Sequence, residues 1–201
     1  MGRKDEESEE EKETKVGCMG RKVVIEVDRR QYDAEYLGKG FYSKVYRVGD
    51  RVVYYTKDDC TKDVLSMFVR DRVTHFPEIV RHNDMQVGNN YYLVYSSPYY
   101  KDVRSSDVSA WKLMKKIIKL FNIESSRLHY QKIRFDQQVM HTLVDRIEEY
   151  KELPYSMINA MHLLVDLGAM CGDARFDFHK KNFGVNEYGT LIFRDPMYVM
   201  K

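Results

Sequence analysis

Asp177-Phe178-His179-Lys180-Lys181-Asn182, continued by Phe183-Gly184-Val185 and closed by Arg194-Asp195-Pro196, is the stretch whose reading decides the fold. Phe183–Val185 and Thr190–Phe193 are short apolar runs on either side of Asn186–Gly189, a turn-forming group, so the sequence predicts a hairpin there. Asp177 and Asn182 lie five residues apart in one loop, and the hairpin returns Asp195, thirteen residues beyond Asn182, to the same place. Phosphoryl transfer asks for this kind of oxygen set. Metal ions must sit on the β- and γ-phosphates, and a carboxylate must orient the attacking hydroxyl and accept its proton. Mg²⁺ prefers hard oxygen ligands of the Asp and Asn type.

Working outward, Tyr155–Cys171 is almost wholly apolar through Met157, Ile158, Met161, Leu164, Val165 and Leu167, which predicts a buried helix stopped by Gly172. Phe135–Lys151 repeats Phe135, Val139, Leu143 and Ile147 at i+4 spacing and reads as a second helix. Ser106–Phe121 reads as a third, opened by a Ser-Ser-Asp cap signal. Before Pro98 the texture is that of strands. Val23, Val24, Ile25 and Val27 suggest an edge strand, and Tyr36–Lys39, Ser43–Val48 and Arg51–Thr56 suggest three more, the last two joined by Gly49-Asp50. A helix is predicted over Thr61–Val73 with Val64, Leu65, Phe68 and Val69 on one face. Strands at Ile79–Val87 and Tyr91–Tyr95 follow.

Leu37-Gly38-Lys39-Gly40-Phe41-Tyr42-Ser43-Lys44-Val45-Tyr46 adds a glycine-containing hairpin, whose backbone can approach phosphates closely. The two motifs in this order resemble those of the protein-kinase and aminoglycoside-phosphotransferase superfamily. The form Asp-Phe-His-x-x-Asn…Arg-Asp-Pro is particularly similar to the small serine/threonine protein kinases of T7-like bacteriophages. The resemblance implies a minimal two-lobed α+β fold: a small antiparallel sheet with one helix over 22–97 and a reduced helical lobe over 98–201, with a hinge near Ser96–Tyr99. It implies Asp177 as catalytic base, with His179 beside the phosphates or bracing the loop, and Asn182 and Asp195 as Mg²⁺ ligands. Gly38, Lys39, Gly40, Ser43 and Val45 would contact ATP, with Lys57 as a further candidate contact.

A kinase also carries a phosphate-gripping Lys on the strand after the glycine hairpin. Alignment puts Tyr54 at that position; Lys57 is the nearby lysine, at an offset that points to the opposite face. The helix over Thr61–Val73 holds no Glu to pair with such a Lys. Arg175 stands where H-R-D has its His, and Asp195 is followed by Pro196 rather than Phe-Gly. The expected activity is ATP-dependent phosphorylation of Ser or Thr in host proteins. Two alternatives stay open: a pseudokinase serving as a nucleotide- or protein-binding module, and a small-molecule kinase of the aminoglycoside type.

Composition bounds the rest. With 33 basic and 31 acidic residues, the formal charge of +2 gives no argument for nucleic acid or membrane partners. Residues 2–15 hold charges and no hydrophobic residue, so 1–21 are expected to form a disordered tail. No apolar run approaches a membrane span, and no hydrophobic signal core is seen. Cys18, Cys60 and Cys171 are scattered and suggest a reducing compartment, hence a cytoplasmic protein, in the host cytoplasm if phage-encoded.

Overall fold

Alternating β-branched and aromatic residues before Pro98 build an antiparallel sheet, and the apolar-striped segments after it build helices. The computed structural model describes residues 20–40, 43–57, 61–67, 73–128, 137–172 and 174–199. The tail expected over 1–21 lies outside the described residues up to 19. So do Phe41 and Tyr42, Phe68 and Val69, Phe135 and Asp173.

The sheet strands are β1 (Lys22–Val27), β2 (Arg30–Lys39), β3 (Ser43–Val48), β4 (Arg51–Thr56), β5 (Val80–Arg81), β6 (Met85–Val87) and β7 (Asn90–Pro98). Their order is β1-β2-β3-β4-β7-β5, with β6 also on β7, and every pairing is antiparallel. The bounds expected for β3 and β4 hold, whereas β2 runs back to Arg30. The strand predicted over Ile79–Val87 divides into β5 and β6. At the break, His82 Nδ1 lies 2.7 Å from Asp28 Oδ2, and the Asn83 amide donates to Asp28 Oδ1 at 2.9 Å. Asp28 and Arg29 form the β1–β2 turn with φ of 49° and 63°, the left-handed pair that a tight hairpin turn of matching twist requires. The sheet therefore curls. Ile25 and Val27 of β1 close over Val53, Tyr55, Tyr92 and Val94 in an outer core, and the Tyr55 hydroxyl donates to the Glu26 carbonyl.

The other sheet face carries α1 (Thr61–Met67) and, beyond β8 (Lys101–Asp102), three longer helices: α2 (Val108–Arg127), α3 (Gln137–Glu149) and α4 (Tyr155–Met170). Leu65, Ile79 and Tyr95 from the sheet half share one core with Met114, Ile117, Leu143, Ile147 and Leu164 from the helices. Met157, Met161, Leu164 and Val165 of α4 are fully buried, and burial of side chains this size stabilises by about 1.5–3 kcal/mol each. Helix α2 continues six residues past the expected Phe121. Glu124 in that extension is buried, and its carboxylate accepts from Arg127 at 2.6 Å and from the Tyr150 hydroxyl at 2.7 Å.

The chain is thus mixed α and β, with an antiparallel sheet and three long helices. No helix of the described residues is long and apolar enough to cross a membrane. Cys171 is disulfide-bonded, a pairing that the scattered spacing of the three cysteines did not suggest.

Candidate active site

Two miniature sheets set the geometry of the C-terminal loop. In the first, β9 (Ala174–Phe176) pairs with β12 (Met197–Val199). In the second, β10 (Phe183–Val185) pairs with β11 (Leu191–Phe193) on one side and with β8 on the other. Asp177 immediately follows β9, Asn182 immediately precedes β10, and Asp195 falls between β11 and β12. Their main chains are joined where the ladders meet. The Asp177 amide donates to the Pro196 carbonyl at 2.7 Å, and the Arg194 and Asp195 amides donate to the Asn182 carbonyl at 2.8 and 3.4 Å.

Phe178 explains why the neighbouring polar residues face outward. It is buried and stacks on Phe176 and Phe193, with centroids at 4.7 and 5.4 Å, and meets Phe121 edge-on at 5.2 Å. Alternation along extended backbone then turns Asp177 and His179 away from that stack. His179 accepts the Lys181 amide on Nδ1 at 3.2 Å, capping the 3₁₀ turn over Lys180–Asn182. With Nδ1 accepting, the ring proton sits on Nε2, which lies 3.5 Å from Asp177 Oδ2. His179 therefore braces the loop and stands beside the Asp177 carboxylate.

Asn182 donates its side-chain Nδ2 to the Asp177 carbonyl at 2.9 Å. The amide is thereby fixed with Oδ1 as the atom able to hold a cation. Arg194 secures the whole turn: its guanidinium donates to the Lys181 carbonyl at 2.7 Å, to Asp102 Oδ1 at 2.8 Å and to the Tyr100 carbonyl at 3.3 Å. Gly184 is required beneath it, because a Cβ there would stand 2.6 Å from Tyr100 Cβ and 2.9 Å from Arg194 Cδ.

The glycine hairpin is a β2–β3 turn with a bulge between Tyr36 and Gly38, and the Gly40 amide donates to the Ser43 carbonyl at 2.8 Å. Gly38 has φ of +154°. Lys39 pairs in register with Lys44, and Ser43 donates its hydroxyl to Thr56 Oγ1 at 2.8 Å. Val45 lies directly across from Tyr54, so their side chains share a sheet face. Lys57 is elsewhere. Its ammonium bonds Asn90 Oδ1 at 2.6 Å and lies 5.6 Å from the Tyr92 ring, on the side of the outer core that holds Tyr92. Strand alternation separates it from Tyr54, and it does not join the group.

Lys62 of α1, which the sequence reading passed over, does. Its Nζ lies 3.3 Å from Asp195 Oδ1 and 4.8 Å from the Tyr54 ring centroid. The signal that could have found it was a lysine in the first turn of the helix expected to face the site. Residues from the glycine hairpin strand, the next strand, α1 and the C-terminal loop are thus linked in one series: Val45, Tyr54, Lys62, Asp195, Asn182, Asp177.

A different cluster meets simple metal-ligand spacing. Ligand atoms of Asp145, Glu148 and His162 lie within 4.8 Å of one another, on α3 and α4. Both carboxylates are exposed. His162 Nε2 sits 3.6 Å from Asp145 and its ring stacks on that of His141. Imidazole–carboxylate pairing accounts for the cluster, and an imidazole ligand suits zinc-like ions rather than Mg²⁺. Comparison of the chain with protein-family models, with curated proteins and with solved structures finds no match.

Proposed function

We propose that this chain is an ATP-dependent phosphotransferase of the protein-kinase-like type, with a two-lobed arrangement around the Lys62–Asp195 contact and Ser or Thr of host proteins as acceptor. The observation that carries the reading is the main-chain bonding of Asp177 to Pro196 and of Asn182 to Arg194 and Asp195. It brings three oxygen-bearing residues together, and the side-chain tie among them, Asn182 Nδ2 to the Asp177 carbonyl, leaves Asn182 Oδ1 and the carboxylates out of the main-chain bonding. The donor set fits a hard cation: Asp195 carboxylate and Asn182 Oδ1 would hold Mg²⁺, which neutralises phosphate charge when bound. Asp177, with His179 Nε2 beside it, would orient the acceptor hydroxyl and take its proton. The glycine hairpin joins β2 to β3, the strand that carries Val45 across from Tyr54 of β4, the side from which a nucleotide would be covered.

The test is transfer of the γ-phosphate of labelled ATP to protein, with and without Mg²⁺. Asp177→Ala is expected to lower the rate by about 10²- to 10⁴-fold with folding intact. Undiminished transfer in that variant removes Asp177 as the base. One observation favours a second reading, a nucleotide-binding module without transfer: Tyr54 stands at the position of the strand Lys, its hydroxyl 3.3 Å from Ser97 Oγ. Magnesium-dependent ATP binding without any transfer would select it.

A further inference from the structure

Lysine is rarely buried unless paired. The Lys62 side chain is only 7% exposed, yet the carboxylate it meets, Asp195, is 61% exposed. An ammonium enclosed at its stem and directed at an open acid differs from a closed structural bridge, because the acid keeps a face to solvent. An aromatic face is also near: the Tyr54 ring lies at 4.8 Å, within the range of a cation–π contact. That ring is held by the Tyr54–Ser97 hydroxyl contact at 3.3 Å.

In kinases the strand after the glycine hairpin supplies the phosphate-gripping Lys, and the following helix supplies a Glu that holds it. Here the polarity of that strand–helix pair is reversed. The strand presents the Tyr54 ring and the helix presents the cation. The acid on the helix is committed elsewhere, because Asp63 Oδ1 accepts from the Tyr95 hydroxyl at 2.7 Å and from Arg81 at 3.3 Å. Lys57, the other lysine near the strand, is bonded to Asn90 at 2.6 Å on the far face.

We propose that Lys62 is the phosphate-binding cation of this chain, moved from the strand to the helix, and that without nucleotide it rests on Asp195. This rests on the phosphotransferase reading above. When a nucleoside triphosphate enters with its divalent cation, Asp195 passes from the ammonium to the metal ion, and the ammonium passes from Asp195 to a phosphate oxygen. Each charge exchanges one opposite charge for another, so no ion is left unpaired. Tyr54 keeps the ammonium close to its resting place during the exchange and thereby acts as a positioning residue.

The experiment uses the full chain and its Lys62→Met, Lys62→Met/Tyr54→Lys and Asp195→Asn variants. Calorimetry would measure binding of Mg·ATP and of adenosine, and melting temperature would report folding. Lys62→Met is expected to weaken Mg·ATP by about 10- to 100-fold, the loss of one charge-assisted hydrogen bond. Adenosine, which has no phosphate, should bind as before. The melting temperature should hold or rise, because methionine replaces a mostly buried charge at similar volume. Restoring an ammonium from the strand in Lys62→Met/Tyr54→Lys should recover much of the ATP affinity. Unchanged Mg·ATP binding in Lys62→Met, with metal-dependent binding lost in Asp195→Asn, overturns the assignment of Lys62 and leaves the phosphotransferase reading standing. Parallel loss of ATP, adenosine and melting temperature would make Lys62 a structural bridge and overturn it too. If the unaltered chain binds no nucleotide, both readings fall.

Discussion

The β1–β2 hairpin and the C-terminal loop are both small structures fastened to a larger body, and they are fastened in opposite ways. At the β1–β2 turn the fastening is done by side chains: both oxygens of Asp28 are engaged, one by His82 and one by the Asn83 amide. Around Asp177 the fastening is done by main-chain amides and carbonyls above a stack of phenylalanines, with the Arg194 guanidinium and the Asn182 Nδ2 as side-chain ties, and the two carboxylates are spared. A carboxylate consumed in holding the chain has little left to offer a ligand. Where backbone and apolar rings do the holding, Asp177, Asn182 and Asp195 can keep oxygens at the surface. The same residue type thus reads as structural in one place and as a candidate site in the other.

The comparison is broken most directly by removing the apolar anchor. Phe178→Ala should cost about 3–5 kcal/mol, the usual range for a buried Phe, measured by denaturant unfolding. It should also misplace Asp177 and His179, so any transfer activity falls with it. A cost below about 1 kcal/mol would mean that the ring stack does not hold the loop. Gly184→Ala is next. The methyl group must displace Tyr100 or Arg194, an overpacking expected to cost about 1–3 kcal/mol by the same measurement. A neutral result would show that β8 and β10 separate more easily than their pairing indicates.

The smallest effect separates the two regions by pH. Each has a clasp whose pKa is shifted. Around β11 it is His75, whose Nδ1 lies 2.7 Å from the Leu191 carbonyl and whose Nε2 lies 3.1 Å from Ser156 Oγ. Burial holds its pKa below the ordinary 6.5, against a smaller opposing effect of the Leu191 carbonyl. The unfolded chain therefore binds a proton first on acidification. The stability from neutral His75 is complete above 6.5 and is lost as pH falls from there through the lower folded value. Asp28 is held below its ordinary 3.8, first by the Asn83 amide and then by His82. Its contribution is complete above 3.8 and is lost only as pH falls through its still lower folded value. Melting temperature against pH should show a step below 6.5 that His75→Gln removes, and a separate one below 3.8 that Asp28→Asn removes. Persistence of either step in its own variant would remove that residue as the clasp.

Much of this layout was legible in the sequence because the deciding signals are local. Gly49-Asp50 between β-branched runs marks β3 and β4, the unbroken apolar face of Tyr155–Met170 marks a buried helix, and the Asn186–Gly189 turn marks the last hairpin. What escaped depends on partners distant in the chain. The interruption between β5 and β6 comes from Asp28, more than fifty residues away. Helix α2 runs on past Phe121 because Glu124 finds Arg127 and Tyr150, and periodicity does not reveal that a buried acid will be paired. At the site, the kinase pattern calls for a lysine on the strand and an acid on the helix. In the proposed arrangement the cation is on the helix instead, at Lys62 over the Tyr54 ring.

Arg194 has a mechanical consequence. Its one guanidinium touches the Tyr100 carbonyl, Asp102 and the Lys181 carbonyl, and so rivets the strand leaving the large sheet to the loop that bears Asn182. Segment 100–102 then cannot swing independently of that loop. Any opening between sheet and helices must pivot elsewhere and would load the Lys62–Asp195 pair, which bridges α1 to the riveted loop.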